Sequence, residues 1–409
     1  MRRQTAVCFS GFLLLTLLAP FFFGAVHRWA QQSLAAVLFL LFAWGPPAWE
    51  NVVRLPRYFR ISCAVSLGWV CIQTLFWAVD SSKAWSELLL WFSLAGAFLL
   101  VQEFDAKEIR FLIQVIIASA LFQALYGYWQ TTLSAESVLW IQKTTHVGYL
   151  TGTYLNRNHC AGFLELALGG ALGLFLDCLE SSKKKEAAVY GLIFMVLLAA
   201  ILKTGSRFGV FSWCVVFSFF LVWNYFKKPH WRLPLGVLVM GVILTAIFQG
   251  TVLLQRFNYE EGFMAPVSGR VWVWQDMSAV FSDYGLWGLG LGGFERIFPQ
   301  YQSARLMMGW DHAHQDYLEL ALILGVPMSV IWFSGWLSLA FKTVKKIKEG
   351  RPFKGLSVGL CLGLLSFILH GFADFNFAIA SNAFMWIMLA ACVQRMSTLG
   401  WGEPSKAVS

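Results

Sequence analysis

Charge is what this chain has least of. Asp, Glu, Lys and Arg make up 13% of its 409 residues, against roughly a quarter in soluble domains. Apolar residues reach 58%, with 37 Phe and 20 Trp, and the mean hydropathy is +0.62. A soluble globular domain is excluded, and an all-α integral membrane protein is implied. Other absences narrow the function. No CxxC pair occurs, and the cysteines Cys8, Cys63, Cys71, Cys178, Cys214, Cys361 and Cys392 sit inside apolar runs as small packing residues. Cys160, beside His159, is the one near a polar motif. Neither a Walker motif nor a D-x-D motif is present, so neither ATP nor a nucleotide sugar held through a metal is implied. No internal repeat stands out. The net charge of +9 does not indicate nucleic acid, because the basic residues lie in short tracts between apolar segments.

Apolar stretches recur along the whole length, each enough to span a hydrocarbon core of about 30 Å. They fall near 6–25, 31–49, 61–79, 85–101, 111–130, 159–178, 187–203, 208–226, 233–253, 317–341, 355–373 and 380–395. About twelve transmembrane helices are therefore expected, the first retained rather than cleaved and joined to the second through the short "VHRWAQQ" loop. With both termini cytoplasmic, most of the 31 lysines and arginines fall on the inner side, including Lys183, Lys184 and Lys185 and the tract from Lys342 to Lys354. A wrong helix count would invert that bias partway along the chain. The outer face then holds one moderate loop at 131–158 and one large loop at about 254–316. Inside the large loop Val271, Trp274, Met277 and Phe281 recur at near-helical spacing, which predicts an amphipathic helix on the membrane surface.

The polar clusters all map to that outer face: "TYLNRNHCAG", "KTGSRFG", "SGRVW", "WDHAHQD" and "HGFADFN". Polar groups near membrane depth face a cavity or one another, so their convergence predicts a site open to the outside. Arg207 and Arg270 together suit a diphosphate, since guanidinium bonds phosphate oxygens bidentately and keeps its charge. Each also has a plain reading: Arg207 as a snorkelling turn residue, Arg270 as an anchor to lipid phosphate. His314, before the apolar run to Gly325, is a candidate general base that takes a proton from a hydroxyl, or an interfacial residue. Arg157, Asn158, His159, His312, Asp316, His370, Asp374 and Asn376 are candidates for supporting positions. Asp311, His312, His314 and Asp316 suggest a metal, but two histidines two apart on a helix point away from each other, so no metal is expected. "GLGLGGF" lacks the preceding strand of a nucleotide loop and reads as a flexible turn beside the site.

Six blocks together resemble the O-antigen ligase and O-antigen polymerase superfamily of bacterial polytopic membrane proteins. They are "GTYLNRNHCAGFLE", "TGSRFGVF", "SGRVWVW", "GLWGLGLGGFERIFPQY", "WDHAHQDYLELALILG" and "HGFADFNFAIASNAF", spanning residues 152 to 384. His314 followed by ten residues and Gly325 is similar to the H-x10-G signature of the ligases. Two departures concern the acceptor: Gln315 stands where many members have Asn, and Phe211 stands where some have Leu after the arginine. The resemblance implies a GT-C-like glycosyltransferase of the inner membrane: N-terminal helices over 1–150, a catalytic core over 151–396 including the periplasmic loop, and a cytoplasmic tail over 397–409. It implies an undecaprenyl-diphosphate-linked glycan as donor, bound by Arg207 and Arg270, and a hydroxyl acceptor activated by His314, without nucleotide or metal cofactor.

Lipid A core, another glycan and a protein hydroxyl all remain open as acceptors, so ligase, polymerase and protein O-oligosaccharyltransferase are alternatives. A flippase of the same lipid-linked glycan is the reading from another class. The one-sided clusters and the lack of an inverted repeat argue against it.

Overall fold

The structure, a computed structural model, describes residues 2–46, 49–133, 137–227, 232–255, 265–348 and 354–399. Helices form where the apolar runs lie. In chain order they are α1 (Arg2–Phe21), α2 (Arg28–Trp44), α3 (Trp49–Arg54), α4 (Arg57–Phe76), α5 (Ser81–Val101), α6 (Ala106–Leu133), α7 (Arg157–Glu180) and α8 (Lys184–Thr204). Then come α9 (Arg207–Lys227), α10 (Arg232–Gln255), α11 (Ala265–Tyr284), α12 (Phe294–Ile297), α13 (Asp316–Leu324), α14 (Val326–Lys348), α15 (Lys354–His370) and α16 (Ala380–Met396). A two-residue antiparallel ribbon, β1 (Ser137–Val138) with β2 (Ile141–Gln142), follows α6. Among the described residues six helices are long and apolar enough to cross a membrane: α1 from Arg3, α4, α5, α6, α7 and α8. The chain is thus an all-α membrane protein. The expected tail over 397–409 lies largely outside the described residues.

Helix α7 is the axis of the fold. Asn156 caps it by accepting the N–H of Asn158 at 2.9 Å, and from Cys160 to Leu176 Glu165 is the one charged residue, with apolar residues and glycines on every face. A helix of that kind buries itself completely, and α7 packs between α6, α8, α15 and α16. Its closest neighbour is α15, reached through glycine. A Cβ on Gly169 would stand 2.7 Å from the backbone of Gly359 and Gly363. Small residues let helix backbones meet where lipid supplies no hydrophobic drive for association.

The expected helix over 317–341 is broken. Gly325, at φ +83 and ψ +146, ends α13 and turns the chain into α14. The break occurs because the last carbonyls of α13 have partners elsewhere: Leu322 accepts Leu289 N–H at 2.8 Å, and Ile323 accepts Gly290 N–H at 3.1 Å and Gln73 Nε2 at 3.0 Å. Leu324 accepts Trp69 Nε1 at 2.8 Å. Interrupted helices are tolerated at membrane depth only where such partners replace the lost ladder. The "GLGLGGF" segment that provides two of them is therefore a docked strap rather than a flexible turn. Gly288, Gly290 and Gly292 hold it at φ between +70 and +80.

The long loop after α10 also differs from expectation. Val273, Met277 and Val280 of α11 are buried against Leu289, Phe294, Phe298, Ala313 and Leu322. The apolar stripe thus faces a small core of the loop's own, not the membrane surface. Val271 is only half-buried. Residues 256–264 of that loop lie outside the described residues.

Candidate functional site

Asp374 lies in the turn between α15 and α16, 1% exposed, with Oδ1 accepting the Phe375 N–H at 2.9 Å. Four cationic or protonatable groups surround it, three from distant segments and one, His370, four residues before it. Arg270 of α11 is 3.8 Å from Oδ2, and His370 Nε2, at the end of α15, is also 3.8 Å from Oδ2. His314 Nδ1 is 3.7 Å from Oδ1, and His159 Nε2 of α7 is 4.0 Å from it. These separations are those of ion pairs rather than direct hydrogen bonds. Burial pushes the Asp374 carboxyl up, but His314, Arg270, His159 and His370 together hold it well below the usual carboxylate range. Arg270 is the one of the four that is charged at every pH. The side chains of Arg270 and His314 are 19% and 20% exposed, so a guanidinium and an imidazole reach solvent above one buried carboxylate.

His314 does not begin the helix. It sits two residues ahead of α13 with φ +50, in the left-handed region, and Gln315 caps α13 by accepting the Leu318 N–H at 2.5 Å. That conformation is costly for a residue with a Cβ, of order 1–3 kcal/mol, and persists where the surroundings over-determine it. Here they do. Glu319, in the first turn of α13, accepts the Ala313 N–H and bonds His312 Nδ1, both at 2.7 Å. Trp274 donates to the Ala313 carbonyl at 2.9 Å. Asp316 ties the start of α13 to the other turn: its N–H donates to the carbonyls of Gly371 and Asp374, and its carboxylate accepts the Phe377 N–H at 3.2 Å. Because 310–315 is not helical, the two histidines do not point apart as a helix would dictate. Both pack on Phe375, His312 stacked at 4.3 Å and His314 edge-on at 4.6 Å, with His159 edge-on at 4.7 Å. Among the described residues no group of three or more His, Cys, Asp or Glu could hold a metal ion.

The remaining candidates separate into layers. His370 is fully buried and pairs with Glu165 of α7 at 2.7 Å, while Ser366 donates to the other oxygen of Glu165 at 2.9 Å. Ser206 lies 3.4 Å from His370 Nε2, and Arg207, the next residue, opens α9 half-buried. Arg157 is not at the carboxylate. Its guanidinium lies 4.4 Å over the Tyr149 ring and donates to the Gly205 carbonyl at 3.3 Å, bracing the turn that carries Arg207. Lys143 donates to the Tyr149 carbonyl at 3.1 Å, and burial lowers its ammonium to about 8. Asn376 is buried and joins Asn382, which in turn donates to the His159 carbonyl. Asn158 belongs to the first turn of α7.

Glu165, Glu319, Phe375, Ser206 and Lys143 carry much of this geometry and were not singled out in the sequence. Glu165 had a signal: a carboxylate inside an otherwise apolar membrane helix is itself a mark of a site. Phe375 had none, since an aromatic in an apolar protein is ordinary.

Residues 192–333 match the family model described as O-antigen ligase. Over that stretch the chain is O-antigen ligase-like. The match runs from α8 into α14 and contains Arg207, Arg270 and His314. It implies a multi-pass bacterial membrane protein with a glycan-transferring, glycosyltransferase-type role in polysaccharide biosynthesis. No curated protein matches the chain. Asp374, His370 and Glu165 lie outside the matched residues, and their place in the candidate site rests on the distances above.

Proposed function

We propose that the protein transfers a glycan from an undecaprenyl-diphosphate carrier to an acceptor hydroxyl at the periplasmic face of the inner membrane. The reading takes the fold as a GT-C-like bundle of twelve spans with both termini cytoplasmic. The observation that carries it is the meeting of Arg270 and His314 over Asp374, from three segments spread over about a hundred residues of chain.

Transfer of this kind needs three things. The acceptor hydroxyl must lose a proton as its oxygen bonds to the anomeric carbon. The bond from that carbon to the diphosphate must break, and the leaving diphosphate must meet fixed positive charge. With Nδ1 turned to Asp374, the Nε2 of His314 is the nitrogen free to accept the proton, a contribution of roughly 10² to 10⁴ in rate. Arg270 and Arg207 take the diphosphate oxygens as it departs, and Asp374 keeps both the guanidinium and the imidazole in place without touching the donor. No step calls for a nucleotide or a divalent metal. Transfer to lipid A core is the primary reading. Chain polymerisation and protein O-glycosylation use the same step on another hydroxyl.

The test uses purified protein in nanodiscs, undecaprenyl-diphosphate-linked glycan, candidate acceptors and EDTA throughout. Wild type is expected to transfer the glycan, and His314→Ala to lose about 10²-fold or more. Arg207→Ala and Arg270→Ala are expected to lose donor binding as well. Undiminished transfer by folded His314→Ala sinks the assignment. Donor movement across a proteoliposome bilayer without transfer favours a flippase instead.

A further inference from the structure

At the opposite end of the bundle from Asp374 lies a second feature that the glycan chemistry does not use. Lys342 and Lys346 of α14, Arg54 at the end of α3, and Thr343, Gln394 and Ser397 line a cavity of about 210 Å³. It sits roughly 25 Å along α14 from its start, at 1.5 Å per residue. Lys342 and Lys346 are one helical turn apart, so their ammonium groups share one face and repel each other. Arg54 reaches Asn51 Oδ1 at 3.4 Å. Among the described residues no carboxylate lines the cavity.

The buried lining is mixed: Thr343, Gln394 and Ser397 are polar, and Leu339 is apolar with Pro56 beside it. Gln394 is 4% exposed, and its Oε1 has no hydrogen-bond partner among the described residues. A buried amide oxygen without a donor is unusual in a folded protein. The Ser397 hydroxyl is engaged elsewhere, donating to the Gln394 carbonyl at 2.6 Å. The cavity thus offers fixed positive charge beside an unpartnered acceptor, at the basic end of α14, the kind of tract that sits at the membrane–water interface.

We propose that this cavity binds the headgroup of an anionic glycerophospholipid, its phosphate between Lys342 and Lys346 and a headgroup hydroxyl donating to Gln394. Basic pockets between membrane helices suit such headgroups, and each Lys or Arg adds to the attraction. The proposal does not rest on glycan transfer.

The experiment measures lipid binding to the full-length protein in detergent by native mass spectrometry, with the thermal midpoint recorded in parallel. The probes are phosphatidylglycerol, phosphatidylcholine and glycerol 3-phosphate. Phosphatidylglycerol is expected to bind at least about tenfold more tightly than phosphatidylcholine. The double variant Lys342→Gln/Lys346→Gln is expected to lose that preference. Lys345→Gln/Lys348→Gln, which removes the same charge from the same helix outside the cavity, is expected to keep it. Equal loss in both double variants, or no preference in wild type, overturns the proposal. Saturation by glycerol 3-phosphate with no phosphatidylglycerol retained assigns the cavity to a soluble phosphate and overturns the lipid reading. A separate variant, Gln394→Leu, removes that acceptor; unchanged phosphatidylglycerol affinity there overturns the hydroxyl contact.

Discussion

Two half-buried groups proposed to act on one substrate are held here beside one buried carboxylate. Asp374 reaches both Arg270 and His314 at ion-pair distance. The isosteric change Asp374→Asn keeps the acceptor for the Phe375 N–H and removes the charge. Glycan transfer is expected to fall by about 10²-fold with little change in thermal midpoint; full retention of transfer would show that the carboxylate is a packing feature. His312 gives a pH-dependent counterpart. Burial opposes its charge, but Glu319 raises it above its ordinary 6.5. A group raised in this way contributes stability that is complete below the unfolded value and fades as pH rises through the folded one. The segment before α13 is therefore expected to become more protease-sensitive as pH rises above the ordinary 6.5, and His312→Gln is expected to flatten that change. An equal pH response in the variant counts against the Glu319 pair.

Helix ends and breaks are set by backbone partners, and this decides what the sequence could reveal. The apolar runs located the helices to within a few residues, because run length follows from the thickness of lipid. They missed the break at Gly325, which has apolar residues on both sides and depends on carbonyl partners some thirty-five residues upstream and on Gln73 and Trp69. The φ and ψ of Gly325 suit glycine almost alone, and a Cβ there would stand 2.5 Å from the Leu286 carbonyl. Gly325→Ala is expected to cost about 1–3 kcal/mol and to displace His314 through α13. Differential scanning in detergent, with transfer measured alongside, checks both. A variant of wild-type stability removes the claim that this break needs glycine. Likewise the stripe on α11 shared only Met277 with the buried face, which Val273 and Val280 complete while Trp274 and Phe281 are half-buried beside it, and it did not tell against what that face packs. Period alone does not distinguish lipid from a local core, so α11 read as a surface helix.

For the molecule as a whole, the five polar blocks came together across more than two hundred residues, and sidedness alone had grouped them. What the sequence could not supply was pairing: nothing in "HGFADFN" tells that Asp374 meets Arg270, since only the crossing of α7 and α15 brings the turn after α15 beneath α11. The same arrangement fixes an expectation for orientation. The site and the loop tip at Met307, 97% exposed, belong to one end of the bundle, and Lys345 to the other. In a Cys214→Ser background, which removes the exposed native cysteine, Met307→Cys is expected to react with an impermeant thiol reagent added to spheroplasts. Lys345→Cys is expected to react only after the membrane is opened. Orientation is decided by the basic tract after α14, whose translocation the positive-inside rule disfavours. Labelling of Lys345→Cys from outside would invert the molecule and move the proposed transfer to the cytoplasmic leaflet. The same chemistry at Arg270 and His314 would then draw on a different donor pool.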